Sequence, residues 1–150
     1  MKIISHRGNL DGRIPDCENT PTYIDKAIKE GFDVEIDVWF VCGDFFLGHD
    51  AAIYHIDSNW ITIRATSLWC HAKNIEAIEQ LLLMDNINYF WHETDKMTLT
   101  SIGIPWMYPN NYSHRAITVE LSKPKNIPTV WGICTDYPVL WKKYENIQTK

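Results

Sequence analysis

The run Val34–Phe40, VEIDVWF, sets two carboxylates two residues apart inside an otherwise apolar stretch. Unpaired charge is costly to take out of water, so a strand built on this run must give Glu35 and Asp37 either solvent or a cation. In an extended chain alternate residues share a face, which puts Asp33, Glu35, Asp37 and Trp39 on one side and Val34, Ile36 and Val38 on the other. The apolar side is suited to packing beneath helices. One helix is already signalled just upstream: Thr20 is a good N-cap, Pro21 fits the first helical position, Ile24, Ala27 and Ile28 form a stripe, and Gly31 can end it. With KIISH (residues 2–6) reading as a strand, the order strand, helix, strand implies a parallel pair joined by a crossover.

The remaining chain continues that pattern with fewer helices. A hairpin return is expected around Gly43-Asp44, carrying a strand that ends near His49 and Asp50. SLWCHAK reads as a strand and NIEAIEQLLLM as a helix, with Asn74 as its cap and Ile75, Ile78, Leu81 and Leu82 as its stripe. NYFWHE, IPWMYP, AITVEL and TVWGICTD are strand candidates, followed by a helix in YPVLWKKYENI. This is the pattern of an α/β chain, and the fold expected is a compact, reduced (β/α) TIM-type barrel forming one domain over residues 1–150. Ordinary barrels run to roughly 250 residues, so at 150 residues several outer helices must be shortened or missing, chiefly in the second half.

Composition narrows the partners. A net charge of -5 lacks the excess of Lys and Arg on which nucleic acid or an anionic membrane relies. No run approaches the roughly 18 apolar residues of a spanning helix, and MKIISHRG turns polar too soon for a signal peptide. The expectation is a cytoplasmic protein with no stable membrane insertion and no nucleic-acid partner. The four cysteines are scattered without a CxxC, which argues against zinc-ribbon and thioredoxin-like readings. Missing outer helices would uncover apolar strand faces, so a homodimer is reasonable.

Ionisable residues recur where predicted strands end, in SHRG, VEID, LGHD and CHAK, and in a barrel those ends meet on one face. Glu35 and Asp37, about 6.6 Å apart along a strand, are close enough to converge on one cation. The plainer alternative is the wet face of an edge strand. His92 and Tyr108 are candidates for a substrate pocket at later strand ends, Trp91 and Trp106 read as core, and His55 and His114 read as exposed.

HRG near the N-terminus, ENTP before the first helix, VEIDV, LGHD and the late GICTDYP stand in an order that resembles the glycerophosphodiester phosphodiesterase family. The similarity covers residues 3–50 and resumes at 68–74 and 132–138. The blocks WCHAKN, YFWHETDKMTLTS and PWMYP resemble a shortened microbial or viral subgroup of it. The resemblance implies a metal-dependent phosphodiester hydrolase of lipid metabolism acting on a glycerophosphodiester or related small diester. By motif, His6 and His49 become the acid/base pair, Glu35 and Asp37 metal ligands, and Arg7 and Lys73 the phosphate clamp. Glu18 of ENTP would bind the metal or orient Arg7; alternatively it only complements the dipole of the helix after Thr20. The family's ExK pattern is replaced by CHAK, so His71 takes the position of a third carboxylate. One divalent ion, Mg²⁺ or Ca²⁺, is implied, with the imidazole admitting Mn²⁺ or Zn²⁺. Two alternatives accompany this reading: a phospho-ligand-binding barrel with little turnover, and a lyase or transferase of similar design that stops at a cyclic phosphate.

Overall fold

VEIDVWF becomes the hub of the sheet. In the computed structural model, which describes residues 1–126 and 128–148, strand β1 (Lys2–His6) leads through helix α1 (Pro21–Lys29) into β2 (Asp33–Val41). The N-terminal half of β2 lies parallel to β1 on one side and to β5 (Leu68–Ala72) on the other. Its far end turns back antiparallel into β3 (Asp44–Leu47), which pairs with β4 (Tyr54–Ile56). The chain then passes through the short helix α2 (Ser58–Thr62) and a 3-10 turn to β5, helix α3 (Ile75–Leu81) and β6 (Asn88–Phe90).

The second half adds β7 (Met97–Leu99), β8 (Pro105–Met107), β9 (Ile117–Val119), β10 (Gly132–Thr135) and helix α4 (Pro138–Gln148). β10 pairs parallel with both β1 and β9, β9 with β8, and β5 with β6. The result is a curled mixed sheet whose parallel run reads β6-β5-β2-β1-β10-β9-β8, with β7 antiparallel on β8. Beyond β6, the Ser101 N–H donates to the Tyr89 carbonyl at 2.8 Å, tying the segment after β7 to the β6 edge.

Two apolar layers follow from the curl. Outside, Val34, Ile36 and Val38 pack with Ile24 and Ala27 of α1, Leu81 of α3 and Trp141 of α4. Inside, Ile4, Trp69, Phe90, Trp106, Ile117 and Cys134 form a smaller cluster. The alternation read from VEIDVWF therefore holds: the aliphatic face meets helices and the acidic face looks into the curl. Among the described residues no helix lies between β6 and β10, in keeping with helices lost from the second half.

Several expectations need correction. The hairpin turn is Cys42-Gly43, both at positive φ, because Val41 pairs with Asp44 and keeps β2 going past Trp39. α3 stops at Leu81; Ile78 and Leu81 pack inward as expected and Ala77 joins them, while Ile75 and Leu82 are exposed, so half of the expected stripe faces the core. Thr20 sits at the N-cap of α1 without capping it through its side chain; its hydroxyl donates to the Cys17 carbonyl instead. β4, α2 and β7 carried no signal strong enough to be read. The cysteines are free, with Cys70 and Cys134 buried and their thiols pushed up by that burial. Among the described residues no helix is long and apolar enough to cross a membrane.

Candidate active site

Strand register brings the ionisable residues together. β1 sets His6 beside Glu35, and β5 sets His71 beside Asp37. Just past the parallel partner of Ser5 in β10 comes Asp136. These strand ends open on a cavity of about 520 Å³ lined by His6, Arg7, Glu35, His49, His71 and Lys73, with His92 and Tyr108 on a further wall. Every site residue expected from the sequence therefore borders this cavity except Asp37, which is fully buried, and Glu18, which lines a smaller adjoining cavity.

The acids are not at a wet edge. Glu35 and Asp37 are 3% and 0% exposed, a placement that requires compensation. Asp37 Oδ2 accepts from the Asn19 amide at 2.9 Å and lies 2.9 Å from Arg7 Nε. Asn19 also accepts the Asp37 backbone N–H at 3.0 Å, so one side chain holds both ends of the residue. Oδ1 has His71 Nδ1 at 3.2 Å and Lys73 Nζ at 3.6 Å, but no aligned hydrogen bond reaches it, nor Glu35 Oε2 or Arg7 Nε. Burial alone would raise the Asp37 pKa, yet His71, Arg7 and Lys73 together hold it well below the usual carboxylate range.

His71 is the third member of this cluster. Its Nε2 lies 2.7 Å from the His92 carbonyl, which can only accept, so Nε2 carries a proton. The ring is further fixed by stacking on Phe90, with centroids 4.9 Å apart and planes at 13°. Nδ1 is thereby aimed at Glu35 Oε1, 3.7 Å away, and at Asp37 Oδ1. A lone pair facing two carboxylates is repulsive unless a positive charge lies between them. Without a metal that charge is a proton: burial opposes it, but the approach of Asp37 and Glu35 prevails and raises the His71 pKa to about 9.

Glu35, Asp37 and His71 each offer a donor atom, all within 4.8 Å of one another. Two of the buried carboxylate oxygens in this set lack hydrogen-bond partners, and the imidazole has the outward N–H anchor typical of metal-bound histidine. The residues present thus fit a divalent cation. A second grouping, His6, Glu18 and Asp136, is equally compact but already satisfied. Asn9 Nδ2 bridges Glu18 Oε1 at 2.9 Å and Asp136 Oδ1 at 2.8 Å, and Arg7 and Arg13 approach Glu18 at 3.4 and 3.2 Å. Of the two roles open to Glu18, the geometry favours bracing Arg7 over binding the metal.

The two histidines share an arrangement. His6 Nδ1 is 2.8 Å from Asp136 Oδ1, a carboxylate whose pKa burial would raise but which His6 and Asn9 hold down. An ionised carboxylate only accepts, so His6 presents Nε2, 4.0 Å from Glu35 Oε2. His49 Nδ1 is likewise 2.6 Å from Asp50 Oδ1. His49 is held at the cavity by Gly48 at φ +145°, where a Cβ would lie 2.1 Å from the Ala51 carbonyl oxygen. Arg7 itself sits at φ +55°, a left-handed conformation costing an arginine about 1–2 kcal/mol, which its contacts with Asp37 and Glu18 hold in place.

Sequence reasoning assigned no role to Asp136, Asn9 or Asn19. Asp136 ends a strand in GICTD as His6 does in KIISH, a usable signal; the asparagines read only as turn residues. Trp106 is buried, as expected, and also lines the cavity, while Trp91 packs against the outer core. His55 and His114 are exposed. Comparison with family models, characterised proteins and solved structures finds no match to this chain.

Proposed function

We propose that this chain is a metal-dependent phosphodiesterase on a reduced (β/α) barrel, acting on a glycerophosphodiester or a related small diester. The observation that carries the reading is the orientation of His71 Nδ1 toward Glu35 and Asp37, beside a cavity bordered by two further histidines whose Nδ1 atoms are each engaged by a carboxylate. The sequence resemblance to glycerophosphodiester phosphodiesterases agrees with it.

The chemistry follows from the groups. A phosphodiester resists attack because its anionic oxygens repel nucleophiles, so positive charge must converge on them. Glu35, Asp37 and His71 would hold a divalent ion there, which supplies Lewis-acid neutralisation of that charge. Arg7 and Lys73 flank Asp37 and add two cations to the same wall. His6 and His49 complete the transfer: one Nε2 takes the proton of the attacking hydroxyl as the new P–O bond forms, and the other donates a proton to the alcohol oxygen as the old one breaks. Asp136 holds His6 in the required tautomer and stabilises its imidazolium. The attacking hydroxyl is water or a neighbouring hydroxyl of the substrate; the second route passes through a cyclic phosphate.

The test is turnover of glycerophosphodiesters and bis(p-nitrophenyl) phosphate with Mg²⁺, Mn²⁺, Ca²⁺, Zn²⁺ or chelator, followed by phosphorus NMR. Metal-dependent release lost in His6→Ala and His49→Ala is the expected result. Binding of glycerol phosphate without turnover under any metal would identify a ligand-binding barrel instead, and accumulating cyclic phosphate would identify the lyase or transferase chemistry.

A further inference from the structure

Arg13 borders two adjoining cavities that the phosphodiesterase reading uses only in part. The larger is the one described above; the smaller, about 230 Å³, is lined by Glu18, Asn19, Pro15, Ala51, Ile53 and Tyr54 among others. Arg7, Arg13, His49 and Asp50 line both. These residues therefore mark a junction between a cavity rich in ionisable side chains and a smaller one of mixed polar and apolar lining.

At that junction the two arginines are not equivalent. The Arg7 side chain is 12% exposed, with Nε against Asp37 and Nη1 on Glu18. Arg13 is 62% exposed and, among the described residues, is held only through Nε on Glu18 at 3.2 Å. Its two terminal nitrogens have no hydrogen-bond partner among those residues, so its donors remain available. The backbone beneath it is nevertheless fixed. The Gly12 N–H donates to the Asp136 carbonyl at 2.8 Å, and the Ile14 N–H to Asn9 Oδ1 at 3.2 Å. Gly12 adopts φ +111°, and a Cβ there would come within 3.1 Å of the Tyr137 ring, so this loop lies tightly against the segment that follows β10 in a conformation that favours glycine. A guanidinium tethered at one nitrogen, with a planar pair of donors left over, is suited to the oxygens of a phosphoryl group.

We infer that Arg13 grips the phosphoryl group at the junction of the two cavities, so that a diester substrate lays one alcohol in each. This rests on the phosphodiesterase reading for the identity of the substrate, but the anion contact can be measured without turnover. The experiment is calorimetric titration of the Mn²⁺-loaded protein with inorganic phosphate, comparing wild type, Arg13→Ala and Arg13→Lys, alongside Mn²⁺ titrations of the same proteins. Arg13→Ala is expected to weaken phosphate binding by about tenfold or more with unchanged Mn²⁺ affinity, and Arg13→Lys to recover part of the loss. A purely bracing role through Glu18 would instead disturb Arg7 and Asp37 together, so Mn²⁺ affinity would fall along with phosphate affinity and Arg13→Lys would restore both alike, which would overturn the proposal. Phosphate affinity unchanged in Arg13→Ala overturns it whether or not diesters are cleaved. Absence of diester cleavage in the wild type, with the phosphate effect present, would instead count against the enzymatic reading and leave the Arg13 contact standing.

Discussion

Asp37 is fully buried and contacts Asn19, Arg7, His71 and Lys73, so its removal is expected to cost more than the loss of one carboxylate. In Asp37→Asn, Arg7, Lys73 and protonated His71 lose their shared counter-charge, and breaking such a buried arrangement typically costs about 3–5 kcal/mol; urea denaturation of the metal-free protein measures this. For His71 the sign of the pH effect is fixed by its raised pKa. Its proton stabilises the metal-free fold fully below the ordinary 6.5, and that contribution is lost as pH rises through about 9. A divalent ion must displace the same proton. Mn²⁺ affinity is therefore expected to climb by about tenfold per pH unit toward 9 and to level above it, and His71→Glu should remove that slope and favour Mg²⁺. A pH-independent affinity in the wild type would take His71 out of the ligand set. Asp136→Asn leaves an amide facing His6 Nδ1 and releases the tautomer, so kcat on a diester should fall by about 100-fold or more with little change in KM.

At the level of elements, the site depends on strand ends and on the short loops that follow them. Gly48→Ala would drive a methyl group into the Ala51 carbonyl at the turn that carries His49. It should cost more than about 1 kcal/mol and lower kcat, with a smaller loss of Mn²⁺ affinity because the Gly48 N–H donates to the Asp37 carbonyl at 3.2 Å; thermal unfolding and Mn²⁺ titration check the two halves. What the sequence made legible follows the same division. VEIDVWF was readable because its period of two separates an aliphatic from an acidic face, and α1 because Pro21 and Gly31 bracket an apolar stripe. α3 was half legible: Asn74 caps it through Ala77 N–H as read, but a run of consecutive leucines offers no unique face, and the sheet selected Ala77 and Leu81. β4 and β7 are three residues each, too short for alternation to show, β4 pairing with the four-residue β3 and β7 with the equally short β8. His6, His49 and His71 stood out because they lie at or just past strand ends, and Glu35 because it interrupts an apolar run. Asn9 and Asn19 did not, since what they do depends on carboxylates that the chain brings to them only after folding.

For the molecule as a whole, the curl of the sheet makes one cavity out of segments more than a hundred residues apart, with His6 and Asp136 in hydrogen-bond contact across that separation. Few helices cover the outside, so the ligand set should matter to global stability as well as to chemistry. Saturating Mn²⁺, at about 100 times its Kd, is expected to add about 2.7 kcal/mol and so raise Tm by roughly 5–10 °C, an effect absent in Glu35→Gln and read by differential scanning calorimetry. The most direct test of the account is anomalous diffraction from crystals of the protein grown with Mn²⁺. The predicted result is a single strong peak roughly 2.0–2.5 Å from carboxylate oxygens of Glu35 and Asp37 and from His71 Nδ1, facing the cavity shared by His6 and His49. A peak among His6, Glu18 and Asp136, or none at the Glu35, Asp37 and His71 cluster, would contradict it.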